Sequence, residues 1–219
     1  MPSPLIRFTD RTIAMPPQYF GSIAYYAVLA AHSQVLIHNG MKYDKRFKST
    51  HRTAIADTRG MLELTIPVSK PESSSAASWN DITISDHGNW WNIQLTALES
   101  AYGRTPFFEF YIDSLADFFR KKVCGTSLTA HDAAIDSTMR GLLGLDTEVT
   151  YIESRELPEG VSDLRRCNFS SQTEVTPYYQ VRAAELGFIS NLSILDLLFN
   201  LGPESPLYLK GIIDRLIHS

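Results

Sequence analysis

Hydrophobic positions change their spacing along this chain, from short runs near the N-terminus to helical periods in the later half. The apolar runs LIRF at 5–8 and TIAM at 12–15 predict strands. Pro16 and Pro17 then stop any regular element, because each proline removes an amide donor and restricts its neighbour. Ser22 is placed to cap a helix to about Ala31, with Ile23, Tyr26, Ala27 and Ala30 on one face. QVLIH at 34–38 predicts a buried strand, which makes the opening a β-α-β unit. Residues 61–68 (MLELTIPV) alternate with a period of two, so Leu62, Leu64, Ile66 and Val68 share the buried side of another strand. The polar run SKPESSSAASW at 69–79 predicts a surface loop within one domain spanning 1–219.

Helical periods dominate from there. After a short strand at Asp81–Ser85, Asp86 is positioned to cap a helix that turns Trp91, Leu95, Leu98 and Tyr102 inward before Gly103 ends it. Thr105 and Pro106 start a helix to about Lys122 that buries Phe108, Ile112, Leu115 and Phe119. Thr129 and Asp132 form a capping-box pattern for a helix to Leu143, stopped by Gly144. Thr147–Ile152 reads as a strand, and 153–176 holds no period. Ser193 caps the helix in NLSILDLLFNLGP, with Asp196 as its expected reciprocal partner, and Ser205–Pro206 opens a last helix. These elements predict an α+β fold, a single compact domain with a mixed β-sheet flanked by helices.

Composition narrows the function classes. At 219 residues and 44% hydrophobic, the chain buries a core without metal or disulfide staples. A net charge of −4 supplies no long-range attraction to nucleic acid or an anionic membrane. Cys124 and Cys167 read as free thiols in a reducing compartment. No run is long and apolar enough to span a bilayer, and the opening MPSPLIRFTD lacks signal-peptide features, so a cytoplasmic location is expected. GxGxxG, P-loop, HExxH, GxSxG and paired-cysteine motifs are missing from the sequence, and neither cofactor nor metal is expected.

Three segments carry candidate chemistry. Lys42, Lys45, Arg46, Lys48, His51 and Arg52 form a basic stretch, and the guanidinium forks of Arg46 and Arg52 suit a phosphate or carboxylate. The alternative is a solvated face pairing with some of the 24 acidic residues. Tyr43 and Phe47 within it suggest base stacking, but the acidic balance argues against RNA. His87 is a candidate general base oriented by Asp86, although Asp86 is also a helix cap. Trp90 falls off the predicted buried stripe and suits either stacking on a sugar or packing under a loop. Gln18, Tyr19 and Ser22 sit at a strand-to-helix turn, where backbone donors face a cleft. The expectation is that Tyr19, Arg46, Arg52, His87 and Trp90 approach one cleft holding an anionic small molecule, with His87 catalytic and the other four binding.

Several longer blocks add a resemblance. PPQYFGSIAYY at 16–26, LTIPVSKP at 64–71, ISDHGNWWNIQLTALESAYGRTPFFEFY at 84–111, VTPYYQV at 175–181 and GFISNLSILDLLFNLGPES at 187–205 resemble the WbqC-like family, in particular its Bacteroides-type branch. The resemblance implies a part in cell-surface polysaccharide (O-antigen-like) biosynthesis. It implies a transferase acting on an activated sugar or attaching an acyl or amino-acid-like group. The alternative is a non-catalytic sugar-nucleotide binding or assembly protein. Met15, Pro16 and Pro17 stand where family members commonly carry His-Gln-Pro, and Ser49, Thr50 and His51 depart from the family before Arg52. Those departures favour the alternative.

Overall fold

The structure is a computed structural model that describes residues 12–71, 77–169 and 174–218. The predicted strand at 5–8 lies outside the described residues. Strand β1 (Ile13–Met15) leads through the proline break to helix α1 (Ile23–Ala30), where the Ser22 side chain accepts from the Tyr25 amide as the sequence predicts. β2 (Gln34–His38) follows, bounded as expected. The basic stretch then ends in a hairpin, β3 (Arg52–Asp57) against β4 (Gly60–Thr65), so the predicted 61–68 strand is interrupted before β5 (Val68–Ser69). Leu64 and Ile66 are buried while Leu62 is half-buried, which keeps the inward alternation. The segment expected to be a polar loop re-enters the core by Trp79, which is buried, and β6 (Thr83–Ile84) pairs with β5.

Helix α2 covers the expected residues, Trp90–Tyr102, but Asp86 does not cap it. Gly88 and Asn89 take positive φ values of 79° and 50°, and no side-chain cap bond forms at Asp86 or Asn89. That turn fixes the helix phase, so Trp90, Gln94, Leu98 and Tyr102 are buried and Trp91 is only half-buried. The helix expected to reach Lys122 breaks after α3 (Phe108–Leu115) into 3-10 turns at Ala116–Phe119 and Lys121–Val123. In α4 (Leu128–Leu143) the cap is Ser127 rather than Thr129, whose hydroxyl donates to Asn80 instead. Gly144 closes it with φ 60°, a left-handed conformation that glycine adopts without Cβ strain.

β7 (Glu148–Ile152) and β8 (Ser162–Asp163) come next, followed by the short α5 (Ala183–Leu186), α6 (Ile194–Leu201) and α7 (Ser205–His218). Ser193 caps α6, but Asp196 does not reciprocate. It is buried and accepts from Tyr102, Tyr178 and Gln180. The strands form a parallel sheet in the order β7-β2-β1-β8, beside the two antiparallel pairs. Helices and strands share one α+β core, in which Tyr26, Val35, Trp79, Leu98 and Phe199 belong to one apolar cluster. No helix among the described residues is long and apolar enough to cross a membrane.

Candidate functional site

In a parallel sheet, ligands collect at the carboxyl ends of the strands where the chain reverses its direction of travel across the sheet. Here β1 feeds β2 on one side, and β8 returns to its other side. A cavity of about 940 Å3 opens at that edge, lined by His38 at the end of β2, Asp163 at the end of β8 and the loops that leave them.

Two loops build its walls. The first leaves β2 at Asn39, whose amide donates to the Ile152 carbonyl. Gly40 is required there, since a Cβ would stand 2.0 Å from the Glu153 carbonyl oxygen. The loop is then tied to the Trp79 region, because Tyr43 N donates to Ala77 O and Trp79 N to Met41 O. Tyr43 packs edge-on to Trp79 with centroids 4.7 Å apart, and the Lys70 ammonium lies 4.9 Å from the Tyr43 ring centre. Asp44 receives the Arg46 amide and guanidinium, and these bonds hold its carboxyl down at about pKa 2.

The second wall is pinned by Arg165. Its guanidinium donates to both Asp163 oxygens, to the Arg155 carbonyl and to His38 Nδ1 at 3.0 Å. Arginine only donates, so Nδ1 accepts and the His38 proton resides on Nε2, facing the Glu153 carbonyl at 3.4 Å. Burial holds the His38 pKa below the ordinary imidazole value. The remaining cations of the lining are different. Lys42, Lys45, Arg155 and Arg166 line the cavity and form no ion pair among the described residues. Seven cationic side chains against two carboxylates give the lining a net charge of +5 with His38 neutral.

The structure does not bring the five sequence candidates together. Arg46 lines the cavity, with its side chain 86% exposed and paired to Asp44 at 2.7 Å. Arg52 pairs with Glu63 at 2.6 Å on the adjoining hairpin and is absent from the lining. Tyr19 is fully buried and donates its hydroxyl to Gln94 at 2.5 Å, while its amide holds the Ser49 carbonyl. His87 is exposed on the turn before α2. Trp90, expected off the buried stripe, is itself buried and donates Nε1–H to Ser85 O at 2.9 Å. Of the turn residues, Ser22 is occupied as a cap and as a donor to the Phe169 carbonyl, and Gln18 is buried. Sequence reasoning missed His38, Lys70, Arg155, Arg165 and Arg166. The one available signal is three arginines in the aperiodic stretch after Glu153, a concentration with no periodic explanation.

The sequence profile described as the WbqC-like protein family matches residues 16–186. The chain belongs to that family. The match takes in both loops of the cavity and ends before GFISNLSILDLLFNLGPES, so that block lies outside the WbqC-like match. Uncharacterized protein Rv1507c of Mycobacterium tuberculosis (strain ATCC 25618 / H37Rv) is 26% identical, over 85% of this WbqC-like chain and 91% of that protein. No solved structure matches the chain significantly.

Proposed function

We propose that the protein holds a phosphate-bearing activated molecule, a sugar nucleotide, in this cavity. In this reading it serves in the cytoplasm as a transferase in cell-surface polysaccharide biosynthesis, as the resemblance to the Bacteroides-type branch implies. The observation that carries the proposal is a lining with seven cations and two carboxylates within a chain of net charge −4. Arg155 and Arg166 offer planar two-donor forks to phosphate oxygens, and Tyr43 and Phe47 offer ring faces to a base or sugar. Tyr19, Arg52 and Trp90 enter as supports of the surrounding fold. Titration calorimetry with a panel of uridine, guanosine and thymidine diphosphate sugars tests it. At least one is expected to bind, and Arg155→Ala and Arg166→Ala are each expected to weaken it tenfold or more, about 1.4 kcal/mol. No binding at millimolar concentration would remove the proposal.

A binding protein without turnover is the second reading, and the state of His38 favours it. Both of its ring nitrogens are engaged, and both cavity carboxylates are held by arginines, so no imidazole or carboxylate of the lining is unoccupied. A general base at His87 would act from the exposed turn before α2, outside this cavity. Mass spectrometry of mixtures containing activated sugars and acyl or amino donors separates the readings. Product formation that Arg166→Ala abolishes supports the transferase, and binding without product supports the second.

A further inference from the structure

The larger cavity has a neighbour of different character. A second concavity of about 520 Å3 adjoins it, and Arg46, Phe47 and Arg166 belong to both walls. The residues that the smaller cavity does not share are Lys48, Ser49, Glu63 and Asn168, so its whole lining holds three cations against one carboxylate, a net +2 against the +5 of its neighbour. Its volume lies within the roughly 300–1,000 Å3 of small-molecule sites. Arg166 stands between the two loops, where its charge helps to hold both the Asp44 and Asp163 carboxyls below their ordinary values.

Glu63 decides what this second cavity prefers. Its Oε1 accepts from Arg52 at 2.6 Å, which orients the carboxylate, and its other oxygen has no partner among the described residues. An ionised carboxylate repels a phosphate and accepts strongly from a hydroxyl. Ser49 adds a hydroxyl that both donates and accepts, and Phe47 adds an apolar ring face of the kind the C–H face of a sugar ring covers. We propose that the smaller cavity binds an uncharged, hydroxyl-rich molecule, a saccharide. It would lie beside the anion of the larger cavity, with Arg166 on the wall between them. This deepens the reading above and rests on it for the identity of the neighbouring anion.

Saturation-transfer NMR on the full chain tests the inference. The probes are methyl glucoside, methyl galactoside, methyl mannoside and N-acetylglucosamine, each with and without uridine diphosphate, with glucuronate as the charged control. At least one neutral sugar is expected to show transfer. Glu63→Ala and Ser49→Ala are expected to weaken that signal fivefold or more, while uridine diphosphate affinity changes less than twofold. Thermal unfolding of each variant checks that the fold persists, and Ser49→Ala serves where Glu63→Ala does not fold. The inference is overturned if no neutral sugar binds, if glucuronate is preferred, or if binding survives both substitutions. Sugar binding without uridine diphosphate binding would instead remove the anion reading and leave the saccharide site standing.

Discussion

Two polar regions of this protein treat charge in opposite ways. Around Asp196 a buried carboxyl without an ion partner among the described residues is satisfied by hydrogen bonds: it accepts from Tyr102 at 2.8 Å, from Gln180 at 2.9 Å and from Tyr178. The same tyrosine and glutamine reach onward, since the Ala56 amide donates to the Tyr102 hydroxyl and Gln180 pairs with Ile189 at both its amide atoms. At the sheet edge, by contrast, Lys42, Lys45, Arg155 and Arg166 line a cavity and have no ion partner among the described residues. A buried polar group without a partner costs folding free energy, so networks such as the first are kept complete. An exposed cation is hydrated and costs little, so the second region remains free to meet a ligand. Hydrogen bonding around Asp196 serves the fold, and the unpaired cations at the sheet edge are the feature on which the binding proposal rests.

The largest expected effect breaks the matched region. Asp196→Ala leaves the Tyr102 and Tyr178 hydroxyls without their acceptor and takes one bond from the Gln180 amide, which keeps the Ile189 carbonyl. Urea denaturation should show a loss of about 2–4 kcal/mol, from two hydroxyl donors left unsatisfied at roughly 1–3 kcal/mol each. A loss under about 1 kcal/mol would mean the network is dispensable, and the contrast between the regions would fall.

A buried group that lacks partners sharpens the comparison. Asp132 on α4 is buried, and neither carboxyl oxygen has a hydrogen-bond partner among the described residues. One turn later Asp136 is paired with Arg140 at 2.9 Å and accepts from Tyr151. Burial, then the Asp136 charge, raise the Asp132 pKa well above the ordinary carboxyl value. The native state therefore keeps a proton that the unfolded chain releases above about pH 3.9, so this group's contribution to stability falls as pH rises. Asp132→Asn removes that slope. Denaturation at pH 5 and pH 8 should show a stabilisation of about 1–3 kcal/mol at pH 8 that shrinks at pH 5. An unchanged pH slope would show that Asp132 is not the group responsible.

The smallest effect is expected where charge is unmatched. Replacing Arg155 and Arg166 together by alanine should move unfolding stability by no more than about 0.5 kcal/mol, despite the tenfold binding loss expected of each alone. A loss above about 1.5 kcal/mol would make these arginines part of the fold rather than a ligand surface.

Local signals along the chain were informative where a single segment settles its own structure. The caps at Ser22 and Ser193, the β2 limits and the Gly144 stop all follow from residues within a few positions of one another. The same reasoning misplaced Trp90, because the left-handed Gly88–Asn89 turn fixes the phase of the helix and so its buried face. It expected Arg46 in a cleft with Tyr19, Arg52, His87 and Trp90, whereas Arg46 lines a cavity with Arg155, Arg165 and Arg166.

By itself, the sequence determined the longer helices and β2, the α+β class, the absence of common phosphate-loop and metal motifs, and the basic character of the 42–52 stretch. Only the tertiary structure decided which charges meet. β8 is two residues long, too short for any period to reveal, and it pairs with β1 across nearly 150 positions, Ile13 opposite Ser162 and Ala14 opposite Asp163. That pairing brings Arg165 to His38 and carries Arg166 to the edge of the first loop. Local propensity acts over a few residues, whereas a parallel pairing is chosen by the whole core. The cavity therefore became visible only once the chain had closed on itself.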